Sequence, residues 1–322
     1  MRHSTSPGSS PGPAPGASPG PAAGPVLGSS RPVRACLSGE DLDWLGGRSV
    51  CLALDLPTRV SPQVTTAKQP RWAEEIWAFL RERRDGLPDA PPPVAVTGRA
   101  PAASGLSSST AMILALFDAF APDSGRAERV RWAYEFEFAF CNGGGMDQLA
   151  IDRSGATFFA GRTTGLPDLI GHTAFPAGWS VILVDSRDPK STPDHIRQVR
   201  AQQSARDPAL LAYQRRCDAS SAAVWSALTA GDLPGLHDAM AEAHRAMRNL
   251  QRMSTPRLER LRALAADAAG LPLKVSGAGG GGALVGICRT PDLDAAADAL
   301  RAAYRADGSP AAVLTPSPCP PS

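Results

Sequence analysis

Large aromatic side chains are scarce in this chain: Phe, Trp and Tyr make up 6% of its 322 residues. They form no basic-aromatic cluster of the kind that stacks nucleic-acid bases. Charge of one sign is lacking too, with 33 Lys and Arg against 31 Asp and Glu and a formal net charge of +2. Bulk electrostatics therefore argue against a nucleic-acid or membrane partner. No apolar run approaches the ~20 residues that a bilayer span requires. The N-terminus lacks the basic-then-apolar order of a signal peptide. Cys36, Cys51, Cys141, Cys217, Cys288 and Cys319 form no C-x-x-C pair, which excludes a zinc ribbon or a disulfide frame and reads as reduced, mostly buried thiols. A soluble cytoplasmic protein is expected. The Walker A, H-E-x-x-H and G-x-S-x-G patterns are missing as well. His195, His237 and His244 have no metal-ligand spacing and are expected at the surface or in structural roles.

What is present fits two domains, or one large one, with ample core. Residues 1–30 are Pro, Gly, Ser and Ala with almost no large apolar side chain, a composition that cannot offset the entropy of ordering and reads as a disordered tail. Residues 316–322 read as a second, shorter tail. Between them, strands are expected at Val33–Leu37, Ser49–Leu54, Val94–Thr97, Ala156–Ala160, Trp179–Val184, Leu273–Val275, Ala283–Cys288 and Ala311–Leu314. Helical spacing marks Trp72–Leu80, the stretch after Thr110, Arg126–Phe140, Pro193–Ser204, Ala209–Ala230, Leu233–Gln251, Pro256–Ala269 and Leu293–Tyr304. Gly, Pro and lost periodicity between Leu166 and Gly178 suggest a boundary, giving domains at 31–171 and 172–315. The order of elements suggests an α+β sandwich and not a doubly wound parallel sheet.

Three stretches carry candidate chemistry. Pro101-Ala102-Ala103-Ser104-Gly105-Leu106-Ser107-Ser108-Ser109-Thr110-Ala111 runs from small and hydroxylated residues into an apolar helix. Free backbone N–H groups at such a helix N-terminus form a phosphate site, and the hydroxyls can reach phosphate oxygens or a divalent metal. An ordinary N-cap is the plainer alternative. Ser276 to Gly282 formally satisfies G-x-G-x-x-G, but Ala283 to Cys288 reads as strand where a dinucleotide site needs a helix. The glycine run then serves close approach, to a ligand or to a neighbouring loop. The third constellation is Arg34, Glu135 and Asp147. Glu135 sits in Trp132-Ala133-Tyr134-Glu135-Phe136-Glu137-Phe138, where either Glu is free to face solvent. Asp147 follows a glycine-rich stop and is equally suited to a turn.

Together these stretches resemble the GHMP kinase superfamily, and within it the galactokinase-like sugar kinases, from about Arg31 to Thr315. Arg34-Ala35-Cys36-Leu37-Ser38-Gly39-Glu40-Asp41-Leu42-Asp43-Trp44-Leu45-Gly46-Gly47 is similar to the galactokinase signature R-V-N-L-I-G-E-H-T-D-Y-N-G-G. Gly105-Leu106-Ser107-Ser108-Ser109-Thr110-Ala111 resembles the ATP-phosphate loop, and Lys274-Val275-Ser276-Gly277-Ala278 the third motif. Met146-Asp147-Gln148 matches M-D-Q, and Met253-Ser254-Thr255-Pro256 resembles a family helix start.

The resemblance implies a two-domain α+β GHMP kinase fold. An N-terminal ATP and substrate domain and a C-terminal α/β sandwich would hold the site between them. It implies ATP and Mg²⁺ as cofactors and a sugar or sugar-like polyol as acceptor, with the anomeric hydroxyl as the galactokinase option. Asp147 corresponds to the catalytic Asp, beside Arg34. The ATP-binding residues would be Pro101, Gly105, Leu106, Ser107, Ser108, Ser109 and Thr110. The glycine run Gly277, Ala278, Gly279, Gly280 and Gly281 would lie near the phosphates or substrate. Ser109 and Glu135 fall where the family holds Mg²⁺, and Glu40, Asp41 and Asp43 in the substrate motif. Cys36, Asp41 and Trp44 depart from that motif's Asn, His and Tyr. Three acidic groups in one turn would suit an amino-bearing polyol, although a solvent-facing Asp41 is the plainer expectation. A mevalonate-kinase-like alcohol kinase is the runner-up. A catalytically silent ATP and sugar sensor would be expected to lack Asp147, Arg34 or Glu135, and all three are present.

Overall fold

The computed structural model describes residues 28–63, 70–188 and 192–322, so most of the N-terminal stretch expected to be disordered lies outside the described residues. Two antiparallel sheets organise the rest. The first takes β1 (Ser29–Ser38), β2 (Arg48–Pro62), β3 (Val94–Gly98), β4 (Ala156–Ala160) and β5 (Asp168–Thr173), in the order β1-β2-β4-β5 with β3 paired to β2. Its helices are α1 (Leu42–Leu45), α2 (Arg71–Arg81), α3 (Ser108–Phe120), α4 (Arg126–Cys141) and α5 (Met146–Arg153). The second half runs β6 (Trp179–Asp185), α6 (Thr192–Ser204), α7 (Pro208–Ala230), α8 (Leu233–Gln251), α9 (Pro256–Ala269), β7 (Lys274–Val275), β8 (Ala283–Arg289), α10 (Leu293–Ala306) and β9 (Ala312–Leu314). Its sheet order is β7-β8-β6-β9. This is the α+β arrangement expected from the order of elements.

Strand period fixes what each face of the second sheet buries. Val181 and Leu183 join a core shared with Leu52 of β2 and Val224 of α7. Ile182 and Val184 join a second core with Leu261 of α9 and Leu300 and Tyr304 of α10. The α7 helix reaches across to the first sheet, where Trp225 stacks on Phe158 of β4 with ring centroids 5.2 Å apart. The helix ends in this half follow local chemistry. Asp207 caps α7 through Ala209 N–H at 2.8 Å, and Thr255 caps α9 through Leu258 N–H at 3.2 Å. A proline follows each cap, and Gly231 and Gly270 close the two helices in the left-handed region, the usual asymmetry of helix ends. No described helix is long and apolar enough to cross a membrane.

Three expectations need correction. The strand β5 lies inside the stretch read as a boundary. Its pattern alternates exposed and half-buried residues, with Ile170 half exposed, so it carries little apolar signal. Because β5 pairs with β4 to Thr173, the crossing to the second sheet falls after that residue, slightly beyond the expected 171. Residues 316–322 are not a tail. Ser317 O accepts from Asp55 N–H at 2.9 Å, Cys319 N–H donates to Ala53 O at 2.9 Å, and Ser322 N–H donates to Arg153 O at 3.0 Å. The cause is an open edge: β4 pairs β2 only to Leu52 and β3 pairs it only from Thr58, and the C-terminal segment supplies partners in the gap. At the other end, β1 already begins at Ser29, whose hydroxyl donates to Ala115 O at 2.6 Å. Cys36, Cys51, Cys217 and Cys288 are buried free thiols and Cys319 is half-buried; the Cys141 side chain lies outside what is described.

Candidate active site

Arg34 projects from β1, 4% exposed, and is the hub of the site. Its Nε donates to Asp147 Oδ1 at 2.7 Å and its Nη2 to Oδ2 at 2.8 Å, while Nη1 donates to Gly105 O at 2.7 Å. This bidentate fork fixes the orientation of the carboxylate. Burial by itself lowers the Arg34 pKa, but the Asp147 charge outweighs it and the guanidinium is held firmly protonated. One cation therefore ties the first turn of α5 to the serine-rich loop.

That loop leaves its donors open. Ser107, at φ 57°, occupies the cap position of α3 but makes no side-chain cap; its hydroxyl donates to Asp147 Oδ2 instead. Among the described residues the first N–H groups of α3 have no side-chain cap, at the positive end of the helix dipole. The loop is pinned from below, since Leu106 O accepts from Arg34 N–H at 3.1 Å and Ser104 O accepts from Ala283 N–H at 2.6 Å. Ala103, Ser104, Gly105, Ser107, Ser108, Ser109 and Thr110 line a cavity of about 420 Å³ together with Trp72 and Pro193. Pro101 and Leu106 do not line it among the described residues. Leu106 is core, and Pro101 O accepts from the Ser104 hydroxyl at 2.8 Å, so both support the loop's shape.

The expected metal residue Glu135 points elsewhere. It is exposed on α4, in ion-pair range of Arg83 at 3.9 Å and Arg131 at 3.7 Å. Glu137 takes the inward position. It accepts from the Thr110 hydroxyl at 2.8 Å and from Gln148 Nε2 at 2.7 Å, and it lines the cavity along with Ser109. Burial, then the neighbouring Asp147 charge, pushes its pKa up to about 7. The reason is helical phase. Glu128, Arg131 and Glu135 form one outer stripe, whereas Val130, Ala133 and Glu137 fall on the inner one. That spacing is visible in the sequence and separates the two glutamates.

A second, smaller cavity of about 100 Å³ adjoins the first, and Arg34, Glu137, Asp147, Thr192, Gly277 and Ala278 line both. Glu40, Asp41 and Asp43 all face the smaller one. Glu40 is buried against the Lys274 ammonium and accepts from Gly277 N–H at 3.3 Å. Lys274 also donates to Val275 O at 2.7 Å. Asp41 does not point to solvent: it is 8% exposed and its Oδ2 lies 2.7 Å from His195 Nε2 of α6. Asp43 accepts from Met146 N–H at 3.1 Å. Burial, then the Asp147 charge, raises its pKa to about 7. Gly144 permits this approach, since a Cβ there would sit 1.9 Å from Asp43 Oδ2.

The glycine run divides. Gly277 and Ala278 reach the shared wall of the two cavities. Gly279, Gly280 and Gly281 are not among the lining residues: Gly280 N–H donates to Met253 O at 2.7 Å, and a Cβ on Gly279 would meet that same carbonyl at 2.2 Å. A Cβ on Gly281 would meet Asp188 O at 2.7 Å. Here close packing of loops is what the glycines serve. Sequence reasoning missed Lys274, Thr192, Ile196 and His195 as participants, because α6 and the third motif meet the acidic turn only through the fold. His237 and His244 are structural, as expected. Among the described residues no group of three His, Cys, Asp or Glu side chains forms a metal cage.

The family model for the GHMP kinase N-terminal domain matches residues 73–155, and that for the GHMP kinase C-terminal domain matches residues 225–306. The structure is similar to Lactococcus lactis galactokinase complexed with galactose, at 16% identity and TM-score 0.75 over 93% of this chain and 95% of that one. It is similar to Methanococcus jannaschii mevalonate kinase at 15% identity and TM-score 0.73, covering 93% and 99%. Streptococcus pneumoniae phosphomevalonate kinase in complex with phosphomevalonate and AMPPNP aligns at 13% identity and TM-score 0.70, covering 91% and 99%. A search of curated proteins finds no match. The two family models lie in order on the two halves of one continuous fold, and the chain belongs to the GHMP kinase family.

Proposed function

We propose that this protein is an ATP-dependent kinase that transfers the γ-phosphoryl group to a hydroxyl of a sugar or sugar-like polyol. The observation that carries the reading is the shared wall. Asp147 and its partner Arg34 line both cavities, so a nucleotide in the larger and an acceptor in the smaller would meet at one carboxylate. The open N–H groups of α3 and the loop hydroxyls would hold the phosphates. Asp147, held in place by the Arg34 fork, would accept the acceptor's hydroxyl proton. Oδ1 has a second lone-pair site beyond the one used by the fork, whereas Oδ2 also accepts from the Ser107 hydroxyl. Arg34 would offset charge as the phosphoryl group moves, since such transfer is mainly positioning and electrostatics.

The donor set fits magnesium. Glu137 is an enclosed carboxylate that makes no ion pair among the described residues and lines the larger cavity together with Ser109, and magnesium commonly takes one or two carboxylates with the remaining ligands from phosphate and water. When bound, the ion supplies charge compensation at the phosphates. Glu137, with Ser109, is thus the better assignment for this role than Glu135. The acidic turn and M-D-Q favour the sugar branch over a mevalonate-type acceptor. ADP release measured against a panel of sugars, amino sugars, cyclitols and mevalonate tests the reading: a polyol-dependent rate is expected, and ATP use driven by mevalonate alone would move the assignment to the other branch.

A further inference from the structure

A third cavity, of about 340 Å³, lies apart from the active site and shares no described lining residue with either of its two cavities. It opens where α6, the start of α7 and the end of α8 meet. Gln202 of α6 and Asp207, the cap of α7, line it from the α6–α7 corner, and Leu250, Gln251 and Arg252 line it from the end of α8. Gln251 is 4% exposed, yet neither its Nε2 nor its Oε1 has a hydrogen-bond partner. Gln202 Oε1 is buried without a partner as well, its Nε2 being given to Asp207 Oδ2 at 3.1 Å. Buried amide atoms are nearly always matched, because an unmatched one forfeits its hydration for nothing. Three of them on one cavity, a donor group and two acceptors, make a recognition surface.

The charges of the same cavity are balanced and unspent. Asp207 uses Oδ1 on Ala209 N–H at 2.8 Å, and Arg252 is exposed at the rim. Among the described residues neither side chain forms an ion pair. Each group then selects a part of a ligand. A primary carboxamide answers Gln251 twice, its N–H₂ donating to Oε1 and its oxygen accepting from Nε2, which neither a carboxylate nor an ammonium group can do. Arg252 suits a carboxylate, and Asp207 with Gln202 Oε1 suits an ammonium group. Leu250 offers an apolar wall to the carbons that join them. A water takes about 30 Å³ of liquid, so the cavity has room for roughly ten heavy atoms.

We propose that this cavity is a second ligand site, which takes a small zwitterion with a terminal carboxamide, the class of free glutamine and asparagine. The proposal goes beyond the kinase reading and does not depend on it. Helix α6, one wall of this site, also carries Thr192 and Ile196 to the smaller cavity of the active site, so the two sites share an element.

The test uses the full chain without nucleotide. L-glutamine and L-asparagine are titrated by calorimetry beside L-glutamate, L-norvaline and propionamide, which respectively replace the carboxamide by a carboxylate, remove it, and keep it alone. One of the first two is expected to bind at least about tenfold more tightly than each of the other three. Gln251→Leu keeps the bulk of the side chain, removes both unmatched atoms and is expected to weaken that binding at least about tenfold. Asp207→Asn, which keeps a cap for Ala209 N–H, and Arg252→Gln are each expected to weaken it at least about threefold. Hydrogen exchange with the bound probe is expected to slow in α6 and at the end of α8. The proposal is overturned if neither amide amino acid binds at millimolar concentration, if L-glutamate binds as well, or if Gln251→Leu leaves the affinity unchanged. Protection confined to residues 34–47 and 101–111 overturns it too, because the probe then sits in the active site. None of these failures touches the kinase reading, which ADP release tests separately.

Discussion

Arg34 and Asp147, 113 residues apart in the chain, are joined by two hydrogen bonds of 2.7 and 2.8 Å. The fork holds the carboxylate at the shared wall of the two cavities. Asp147→Asn keeps shape and removes the base. Loss of a general base costs roughly 10²–10⁴ in rate, so kcat should fall by about a hundredfold or more. ATP binding, which rests on the loop and α3, should change little. A variant retaining near-normal turnover would show that Asp147 does not take the proton.

Glu135 and Glu137 are separated by one residue and by roughly half a turn of helix. Glu137→Gln should raise the Mg²⁺ concentration for half-maximal activity about tenfold or more, the scale on which a lost ligand or its support acts. Glu135→Gln breaks only long, exposed ion pairs of little energetic weight and should leave the metal titration where it was. Swapped outcomes would return the metal role to Glu135.

The contrast between these two glutamates marks where the sequence was legible. Helices with strong local punctuation, such as α8 and α9 with their caps, prolines and closing residues, are found at their expected limits. The loop at Gly105–Thr110 and the acidic turn are likewise readable, because each is a local motif, whereas the Arg34–Asp147 pairing spans 113 residues and is expected only from the family resemblance of their two motifs. The 3.6-residue phase that turns Glu137 inward was also present, hidden by aromatic residues alternating with carboxylates. Other features had no local signal at all. The β5 edge strand lacks an apolar face, the 316–322 segment is held by backbone bonds to a gap in β2, and Asp41 meets His195 across 154 positions. Such contacts are created by topology, and composition says nothing of them.

Gly279 and Gly280 separate packing from ligand approach. Both sit at positive φ, 70° and 74°, which costs a side chain about 1–2 kcal/mol. A Cβ built on Gly279 would lie 2.2 Å from the Met253 carbonyl, while nothing lies within 4 Å of a Cβ built on Gly280. Gly279→Ala should therefore lower the denaturant midpoint clearly more than Gly280→Ala does. Equal losses would mean that the loop yields freely at Met253.

Asp43 gives a pH dependence of one sign. Its folded pKa, about 7, lies above the ordinary 3.8, so the native state binds the extra proton between those values. The stability it contributes is present at low pH and lost as pH rises through about 7, at about 1.4 kcal/mol for each unit of separation. Asp43→Asn keeps an acceptor for Met146 N–H and removes the charge. The melting temperature of the variant relative to the parent should rise between pH 5 and pH 8. A difference that is flat with pH would show that Asp43 is not forced to ionise in an unfavourable place.

His244 gives the opposite sign. It is fully buried, its Nδ1 lies 3.4 Å from the Val275 N–H and its Nε2 lies 2.7 Å from Glu259 Oε1. That pairing describes a neutral imidazole which accepts from the backbone and donates to the carboxylate. Burial, then Arg262, lowers its pKa to about 4 from the ordinary 6.5. Burial alone would raise Glu259, but the Ser254 and His244 hydrogen bonds outweigh it and bring it to about 2. Both groups are protonated more readily in the unfolded chain. The stability they contribute is complete above pH 6.5 and is lost on acidification, first as the unfolded histidine charges and then as Glu259 is neutralised below its ordinary 4.5. Urea midpoints should fall from pH 6.5 to pH 4 in the parent protein, and His244→Gln should flatten the upper part of that fall. Parallel curves would mean that the buried imidazole stays neutral for reasons the unfolded state shares.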